Sequence, residues 1–289
     1  MTLRVWLAFL ALCVIWGVPY FFIKIAVVEV SPLLIAWGRI TLGTLVLLPF
    51  AWGTGALRNI GKHAGWIVVF AAVELVSPFY LIAQGETAVS SSLAGILLST
   101  VPLTVLLMAP MMGVREHISA RRMIGLAVGM AGVVALLGID SLHNRQEWIG
   151  AGCILLATVG YAVGPLIIQR HLSDVPPLGV VATSTAVGSL ILLIPAVLTA
   201  PSVMPSASAL SAVAALGVLC TALGLFLFVY VISNAGASRA AVVTYVNPAV
   251  AVLLGVWLLD EHFGLGAGIG LVLILLGCWM ATSGRQSAH

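Results

Sequence analysis

The chain is a succession of long apolar runs separated by short polar stretches. A helix that crosses the roughly 30 Å hydrocarbon core of a bilayer needs about 20 apolar residues. Transmembrane β-strands would instead alternate apolar and polar residues over about ten positions, and these runs are apolar on all sides. We therefore predict an all-α integral membrane protein with ten transmembrane helices, at residues 5–28, 32–52, 64–84, 88–112, 119–139, 148–169, 177–198, 207–231, 238–259 and 264–283.

Composition excludes several classes of protein. Hydrophobic residues make up 62% of the chain and charged residues 7%, whereas soluble domains average about 25% charged residues. The net charge of +3 is spread over loops, so no nucleic-acid partner is expected. No Gly-rich phosphate loop follows a plausible strand, and the four cysteines and six histidines do not group at ligand spacing. We expect no cofactor and no metal.

An internal repeat is visible in two loops. The stretch "VREHISARRMIG" (residues 114–125) and the stretch "LDEHFGLGAGIG" (residues 259–270) share the Glu-His and Ile-Gly frame, but the second has lost the arginines. A shift of 145 residues superposes this frame and, in the earlier helices, aligns Pro32 with Pro177 and Gly43 with Gly188. Around the fourth and ninth helices the shift is 146, which aligns Ser99 with Tyr245. The matches indicate a duplicated chain.

The repeat predicts two five-helix units, residues 1–139 and 148–284. Because five is odd, the second unit enters the membrane from the opposite side, which gives inverted-topology repeats. The first run is too long for a signal-peptide core, so we interpret it as a retained helix.

The positive-inside rule predicts the orientation. With both termini in the cytoplasm, the inner segments hold nine basic residues: Arg4, Arg58, Lys62, Arg115, Arg121, Arg122, Arg170, Arg239 and Arg285. The outer segments hold Arg145, with Lys24 near that face, and most of the acids, among them Glu29, Glu86, Asp260 and Glu261. The arginines of the first repeated loop therefore fit a cytoplasmic position.

The chain resembles the EamA family of the drug/metabolite transporter (DMT) superfamily over nearly its whole length. The residues that carry the resemblance are "IWGVPYFFIK", "SPLLIAWGRI", the stretch "SSSLAGILLSTVPLTVLLMAPMMGVREHISARRMIG" and, in the second half, "ASRAAVVTYVNPAVAVLLGVWLLDEHFGLGAGIG". The chain departs from an equal repeat at Tyr161, which stands where the first half has Trp16. The resemblance implies a ten-helix exporter of small metabolites in the bacterial inner membrane, most similar to the aromatic amino acid exporters.

Two ionisable residues lie within predicted spans. Charged side chains at the bilayer centre cost about 2.5–3.5 kcal/mol on insertion scales, so Arg39 and Glu74 are candidate site residues. Glu74 would couple transport to protons or pair with a substrate ammonium, and Arg39 would bind a substrate carboxylate or hold Glu74 ionised. The alternative is a structural ion pair, or an Arg39 that extends to the membrane surface.

Further polar residues follow Glu74 on the third helix. Ser77, Tyr80 and Gln84 lie within about 120° of Glu74, on one side of an ideal helix. Pro78 interrupts the same helix and frees carbonyl groups, a common arrangement at midplane transport sites. A kink that serves only packing is the alternative.

Aromatic and polar residues in other spans complete the candidate substrate-binding set. Rings within the spans would line a cavity for an apolar or aromatic solute or a cation, or would serve as packing and interface residues. Asn247 would bind either a substrate or the carbonyls freed by Pro248. These further candidates are Trp16, Tyr20, Ser99, Tyr161, Tyr230, Tyr245 and Asn247.

Glycines and two loop glutamates have structural explanations. Gly125 and Gly129 in the fifth helix, and Gly264 and Gly268 in the tenth, permit close helix approach, either between the repeats or at a dimer face. Glu116 and Glu261 stand where a negative charge favours the N-termini of the fifth and tenth helices. The chain would be a monomer or a homodimer surrounded by lipid.

We therefore predict a secondary transporter that exports small metabolites, in particular aromatic or other hydrophobic amino acids, by alternating access around a midplane cavity. An exporter of cationic drugs or other metabolites and a passive channel are the alternatives. An integral membrane enzyme would need clustered His, Asp or Cys side chains at one face, and the sequence shows none.

Overall fold

A computed structural model describes residues 2–58, 60–111, 120–139, 144–235 and 243–282. All regular structure in these ranges is helical. Eight helices are long and apolar enough to cross a membrane, and two shorter apolar helices follow near the C-terminus. The helices are α1 (Leu3–Ala26), α2 (Pro32–Gly53), α3 (Ile60–Glu86), α4 (Ser91–Met111), α5 (Ala120–Ile139), α6 (Arg145–His171), α7 (Pro177–Leu198), α8 (Ala207–Ala235), α9 (Val243–Leu258) and α10 (Leu265–Thr282).

The predicted fold class is confirmed, and two helices have interruptions that divide them. The α1 span changes direction at Val18, between Leu3–Gly17 and Pro19–Ala26, because Pro19 has no N–H to continue the ladder. The α4 span divides into Ser91–Leu98 and Val101–Met111. Pro78 was expected to break α3, but the helix continues through it.

Helices at equivalent places in the two halves pack antiparallel. In α5 and α10, Gly129 lies beside Gly277, and Leu136 lies beside Gly270. The residue number therefore rises along one helix as it falls along the other. In α4 and α9, Ser92 meets Gly255 and Gly95 meets Ala251, which gives the same direction. Equivalent helices that run in opposite directions make the two halves inverted repeats.

Two π-helical segments occur at the same place in each half. Ala71–Val76 forms one in α3, and Leu216–Leu223 forms the other in α8. The shift of 145 residues places 71–76 on 216–221. A π turn widens the helix, leaves one carbonyl differently partnered, and is frequent at functional sites. The segment in α3 packs against α7, and the segment in α8 packs against α2.

One end of the bundle is joined across the repeats by hydrogen bonds. This α1–α2 end comprises the loops at residues 27–31, 87–90, 199–206 and 259–264. The carboxylate of Glu29 accepts bonds from the N–H and the hydroxyl of Ser206, both at 2.6 Å. The hydroxyls of Ser31 and Thr199 lie 2.9 Å apart.

Glu261 makes the third of these contacts and corrects a sequence expectation. Its carboxylate accepts bonds from Ser91 N at 2.7 Å, Ser92 N at 2.9 Å and the Ser92 hydroxyl at 2.5 Å. A negative charge does stabilise a helix N-terminus here, but the helix is α4 of the other half and not α10. Its counterpart Glu116 lies outside the described residues.

The opposite end has a different set of contacts between the halves. The imidazole of His63 lies 3.0 Å from the carboxylate of Asp174. The rings of Trp66 and His171 stack at a centroid distance of 3.6 Å. Gly179 packs directly on the carbonyl of Ala56, where a Cβ would not fit. The N-terminal end of α3 is therefore held against the second repeat.

Replacement of Gly277 by alanine should destabilise the protein. The added methyl would collide with the backbone of Gly129, which cannot move aside as a flexible side chain would. Overpacking of this kind costs about 1–3 kcal/mol. The control is Gly152→Ala, where a Cβ meets no atom within 4 Å and helix propensity favours alanine by up to about 1 kcal/mol. Unfolding temperatures in detergent measure the difference, and equal values for the two variants would contradict the α5–α10 packing.

The contact of Glu29 should stabilise the protein only while its carboxylate is ionised. Hydrogen bonds from Ser206 lower the pKa of Glu29 below its ordinary value of 4.5. A lowered folded-state pKa adds stability above the unfolded-state pKa, and that stability is lost as the pH falls through the folded-state value. Glu29→Gln should therefore melt below wild type at neutral pH, and the two curves should converge in acid. A gap that widens as the pH falls would oppose this assignment.

Candidate functional site

Arg39 lies inside the bundle and is fixed from two sides. Its side chain is 7% exposed, and its Nε donates a hydrogen bond to the hydroxyl of Thr221 at 2.8 Å. Its guanidinium carbon lies 3.7 Å from the centroid of the Phe79 ring, a cation–π distance. The terminal guanidinium nitrogens donate to none of the described residues. Arg39 does not extend to the membrane surface, so it remains available for an anionic group.

Thr221 can hold Arg39 because of the π turn in α8. Its hydroxyl donates to the carbonyl of Leu216, five residues earlier, at 2.8 Å. The hydroxyl oxygen is then left as an acceptor for the Nε of Arg39. Thr221 is 1% exposed. Neither Thr221 nor Phe79 was predicted from the sequence. The feature that could have indicated Thr221 is its position as a threonine inside an otherwise apolar run.

Glu74 lies in the other π segment, in α3. One carboxylate oxygen, Oε2, is buried and has no hydrogen-bond partner in the described chain. The carboxyl packs against Gly164 of α6, where any side chain would collide with it. Arg39 and Glu74 form no salt bridge within the described ranges. The structural ion pair considered from the sequence is therefore not formed.

Two tyrosines lie close to these charged groups. Tyr161 is near enough to both Arg39 and Glu74 for their charges to act on its hydroxyl. Tyr20 is within electrostatic range of Tyr161, Glu86 and Arg39. Neither hydroxyl hydrogen-bonds to a residue that the structure describes. The two tyrosines therefore place hydroxyl groups and aromatic ring faces near the guanidinium of Arg39 and the carboxyl of Glu74.

Trp37 is a further residue near the site that was not predicted from the sequence. Its indole Nε1–H is buried without a partner in the described chain. Trp37, Tyr80 and Tyr161 pack against one apolar cluster, which includes Phe79. An indole donor usually finds an acceptor when it is buried. An unpartnered donor and the unpartnered Oε2 of Glu74 thus belong to the same region of the bundle.

The other candidates on α3 are involved in contacts within their own helix or with α6. The Ser77 hydroxyl donates to the carbonyl of Val73 at 3.1 Å. Pro78 is buried and packs on Gly160. The Tyr80 hydroxyl lies 3.5 Å from Oε1 of Gln84, at the limit of a hydrogen bond. Tyr80 still borders the Arg39 region, whereas Ser77 and Pro78 shape the helix.

Two candidates near α1 lie in contacts away from Arg39. Trp16 packs against the ring of Phe228, with centroids 4.8 Å apart. The side-chain amide of Asn247, oriented so that Nδ2 faces α1, donates to two backbone carbonyls. They are those of Val243 at 3.0 Å and Cys13 at 3.2 Å. The amide therefore links α9 to α1 through backbone groups.

The remaining three candidates are also described. The Ser99 hydroxyl donates to the carbonyl of Ile96 at 2.6 Å, and the Ser99 carbonyl accepts from Cys278. The backbone carbonyl of Tyr230 accepts a hydrogen bond from the side-chain amide of Asn234, and Tyr230 is half-buried. Tyr245 packs at the edge of the largest apolar cluster, as does Tyr20. The structure thus brings together Tyr20, Arg39, Glu74, Tyr80 and Tyr161, and it spreads the other candidates over packing contacts.

Known proteins match the chain over nearly its full length. An uncharacterised inner membrane transporter of Escherichia coli K12, YedA, is 28% identical over 284 residues, which cover 96% of this chain and 90% of YedA. An uncharacterised transporter of Archaeoglobus fulgidus is 25% identical and covers 98% of this chain. A crystal structure whose chain is 20% identical superposes with a TM-score of 0.68 over 97% of both chains, which supports the fold.

A family model gives the most specific match. The model of the EamA-like transporter family matches twice, at residues 3–138 and 148–283. The two matches cover more than half of the chain and separate the same halves that pack as inverted repeats. The chain therefore belongs to the EamA-like transporter family.

Proposed function

We propose that this chain is a secondary carrier that exports small zwitterionic metabolites, in particular aromatic or other hydrophobic amino acids. The observation that supports this most directly is the state of Arg39. It is buried, held by Thr221 and Phe79, and not neutralised by Glu74. A buried cation and a separate half-buried carboxyl within the bundle are costly unless they are paired. A zwitterion would pair with both.

The positions of the two charged side chains predict how a zwitterionic substrate is oriented when bound. Its carboxylate binds the free guanidinium nitrogens of Arg39, which can form bidentate bonds with a planar carboxylate. Its ammonium binds Glu74, whose carboxyl forms no salt bridge with Arg39 in the described ranges. A permanently cationic drug would gain nothing from Arg39, so this arrangement favours zwitterions over cations.

The rings around the charges suit an apolar side chain. Phe79 is occupied by the guanidinium of Arg39, but Tyr20, Tyr80 and Tyr161 keep ring faces near the site. Aromatic pairs add about 0.5–1.5 kcal/mol beyond the burial of their area. Aromatic amino acids would therefore bind more tightly than small ones.

The inverted repeats support alternating access. Carriers built from such repeats expose a midplane site to each side in turn, as one half moves against the other. The bias of basic residues supports cytoplasmic termini, and the family resemblance supports export across the bacterial inner membrane. In this orientation the α1–α2 end faces outward. A passive channel would behave differently: substrate on the opposite side of the membrane would not accelerate its flux.

Removal of the Thr221 hydroxyl should weaken substrate binding. Thr221→Val keeps the shape of the side chain but leaves Nε of Arg39 without its acceptor. A hydrogen bond to a charged group is worth about 1.5–3 kcal/mol, so we expect KM to rise about tenfold or more. Counterflow of labelled phenylalanine in proteoliposomes measures it. The matched control is Thr183→Val, since the Thr183 hydroxyl bonds only to Gly179 of its own helix. Equal KM values would argue against an Arg39 site.

Glu74→Gln should remove the preference for an ammonium group. In wild type, an amino acid should compete in counterflow far better than the same acid without its amino group. In Glu74→Gln the advantage should shrink by about tenfold or more, because the charged acceptor is gone. Glu147→Gln, in the exposed first turn of α6, serves as the control. An unchanged preference with a lost pH dependence of transport would instead make Glu74 the proton-coupling residue.

A further inference from the structure

Glu86 is a second carboxyl within the bundle, and the substrate site does not use it. The sequence placed this residue in an outer loop, but it ends α3 and is 0% exposed. Neither carboxylate oxygen has a hydrogen-bond partner in the described chain. An ionised carboxylate without partners or water is strongly disfavoured in such a place. The geometry is that of a neutral carboxylic acid.

The nearest cation does not neutralise this carboxyl. Lys24 donates instead to the backbone carbonyls of Glu86 at 2.9 Å and Val89 at 2.7 Å. These are carbonyls at the C-terminal end of α3, where a cation is favourable. The ammonium thus closes the end of the helix while the acid beside it keeps both oxygens unpaired.

Charged groups on several elements surround Glu86 and act in opposite senses: the cations Lys24 and Arg39 favour the carboxylate, and Glu261 disfavours it. Tyr20 and Lys24 act on it from α1, Arg39 from α2, and Glu261 from the α9–α10 loop. From α6, the residues that face the neighbouring Gly85 are uncharged, namely Gly150 and Ile154. Glu261 receives three hydrogen bonds at the start of α4. A second negative charge on Glu86 would repel it.

Glu86 is buried near the α1–α2 end, where the two halves are in contact. That end is joined by the contacts of Glu29 with Ser206, Ser31 with Thr199, and Glu261 with Ser91 and Ser92. Each contact connects one half to the other, so separation of the halves at this end breaks them together. Water would then reach Glu86, and Lys24 would be free to pair with its carboxylate.

We propose that Glu86 is a proton-binding site that controls this end of the protein: the protonated acid belongs to the closed state, and the carboxylate belongs to the open state. On opening, the O–H bond of the acid breaks, its electron pair stays on the carboxylate, and the proton passes to water at the α1–α2 end. The switch is a different carboxyl from Glu74, although the charge of Arg39 acts on it. Only its coupling to export rests on the proposed carrier function.

Distance measurements without substrate test the switch. Spin labels are attached to cysteines at Val28 and Val203, which are 80% and 76% exposed and lie at this end in opposite halves. The four native cysteines are replaced by alanine, and the protein is placed in lipid nanodiscs. As the pH rises from about 5 to about 9, the long-distance population should grow, with the open-to-closed ratio rising by at most about tenfold per pH unit for one proton.

Variants test whether Glu86 causes the pH response of the distance. Glu86→Gln cannot lose a proton and should stay at the short distance throughout. Glu147→Gln is the control, since Glu147 lies in the first turn of α6 at the same end and takes no part in the three contacts that join the halves there. It should keep the pH response. A wild type with no response, or a Glu86→Gln variant that keeps it, would overturn the proposal.

A direct measurement covers the case in which Glu86→Gln does not fold. Infrared spectra of the wild type at neutral pH should show the carbonyl band of a buried carboxylic acid, and Glu86→Asp should shift it. Absence of any such band would refute the proposal. The transport of Thr221→Val and Glu74→Gln tests only the proposed substrate site. The spin-label distances test only the role of Glu86, so one proposal can be refuted while the other stands.

Discussion

Direct backbone contact between α5 and α10 is the constraint on which the arrangement of the halves depends. Gly129 and Gly277 bring two backbones together with no side chain between them. Lipid tails are as apolar as the helix surfaces, so association inside a membrane relies on close packing and hydrogen bonds rather than on the exclusion of water. Glycine at both helices permits that approach. The antiparallel contact then fixes each half as the inverse of the other.

The inverse arrangement explains how residues far apart in sequence form one site. Because α2 packs on the π segment of α8, Arg39 reaches Thr221 across 182 positions. The π segment of α3 packs in turn against α6 and α7, and it carries Glu74 to Gly164. A cation on α2 and a carboxyl on α3, one beside each π turn, are therefore each packed against helices of the second half.

The sequence was sufficient for the fold and for part of the site. Apolar run length predicted the spans, and α7 has the predicted bounds of 177–198. Arg39 and Glu74 stood out because a charge within a span is costly. Thr221, Phe79 and Trp37 did not, since hydroxyl and aromatic residues are common in membrane helices. The partners of Glu261 and the burial of Glu86 depend on contacts about 170 and 62 residues away, which no local pattern encodes.

The two π segments also affect which residues of α3 and α8 face the same way. A π turn is equivalent to one extra residue inserted into an α-helix, and that residue turns everything after it by about 100°. The segments start at the same position in each half, at Ala71 and at Leu216. Side chains on either side of each turn therefore do not keep the angular spacing of an ideal α-helix, so Glu74 and the residues that follow it on α3 share a face less closely than their spacing in the sequence indicates.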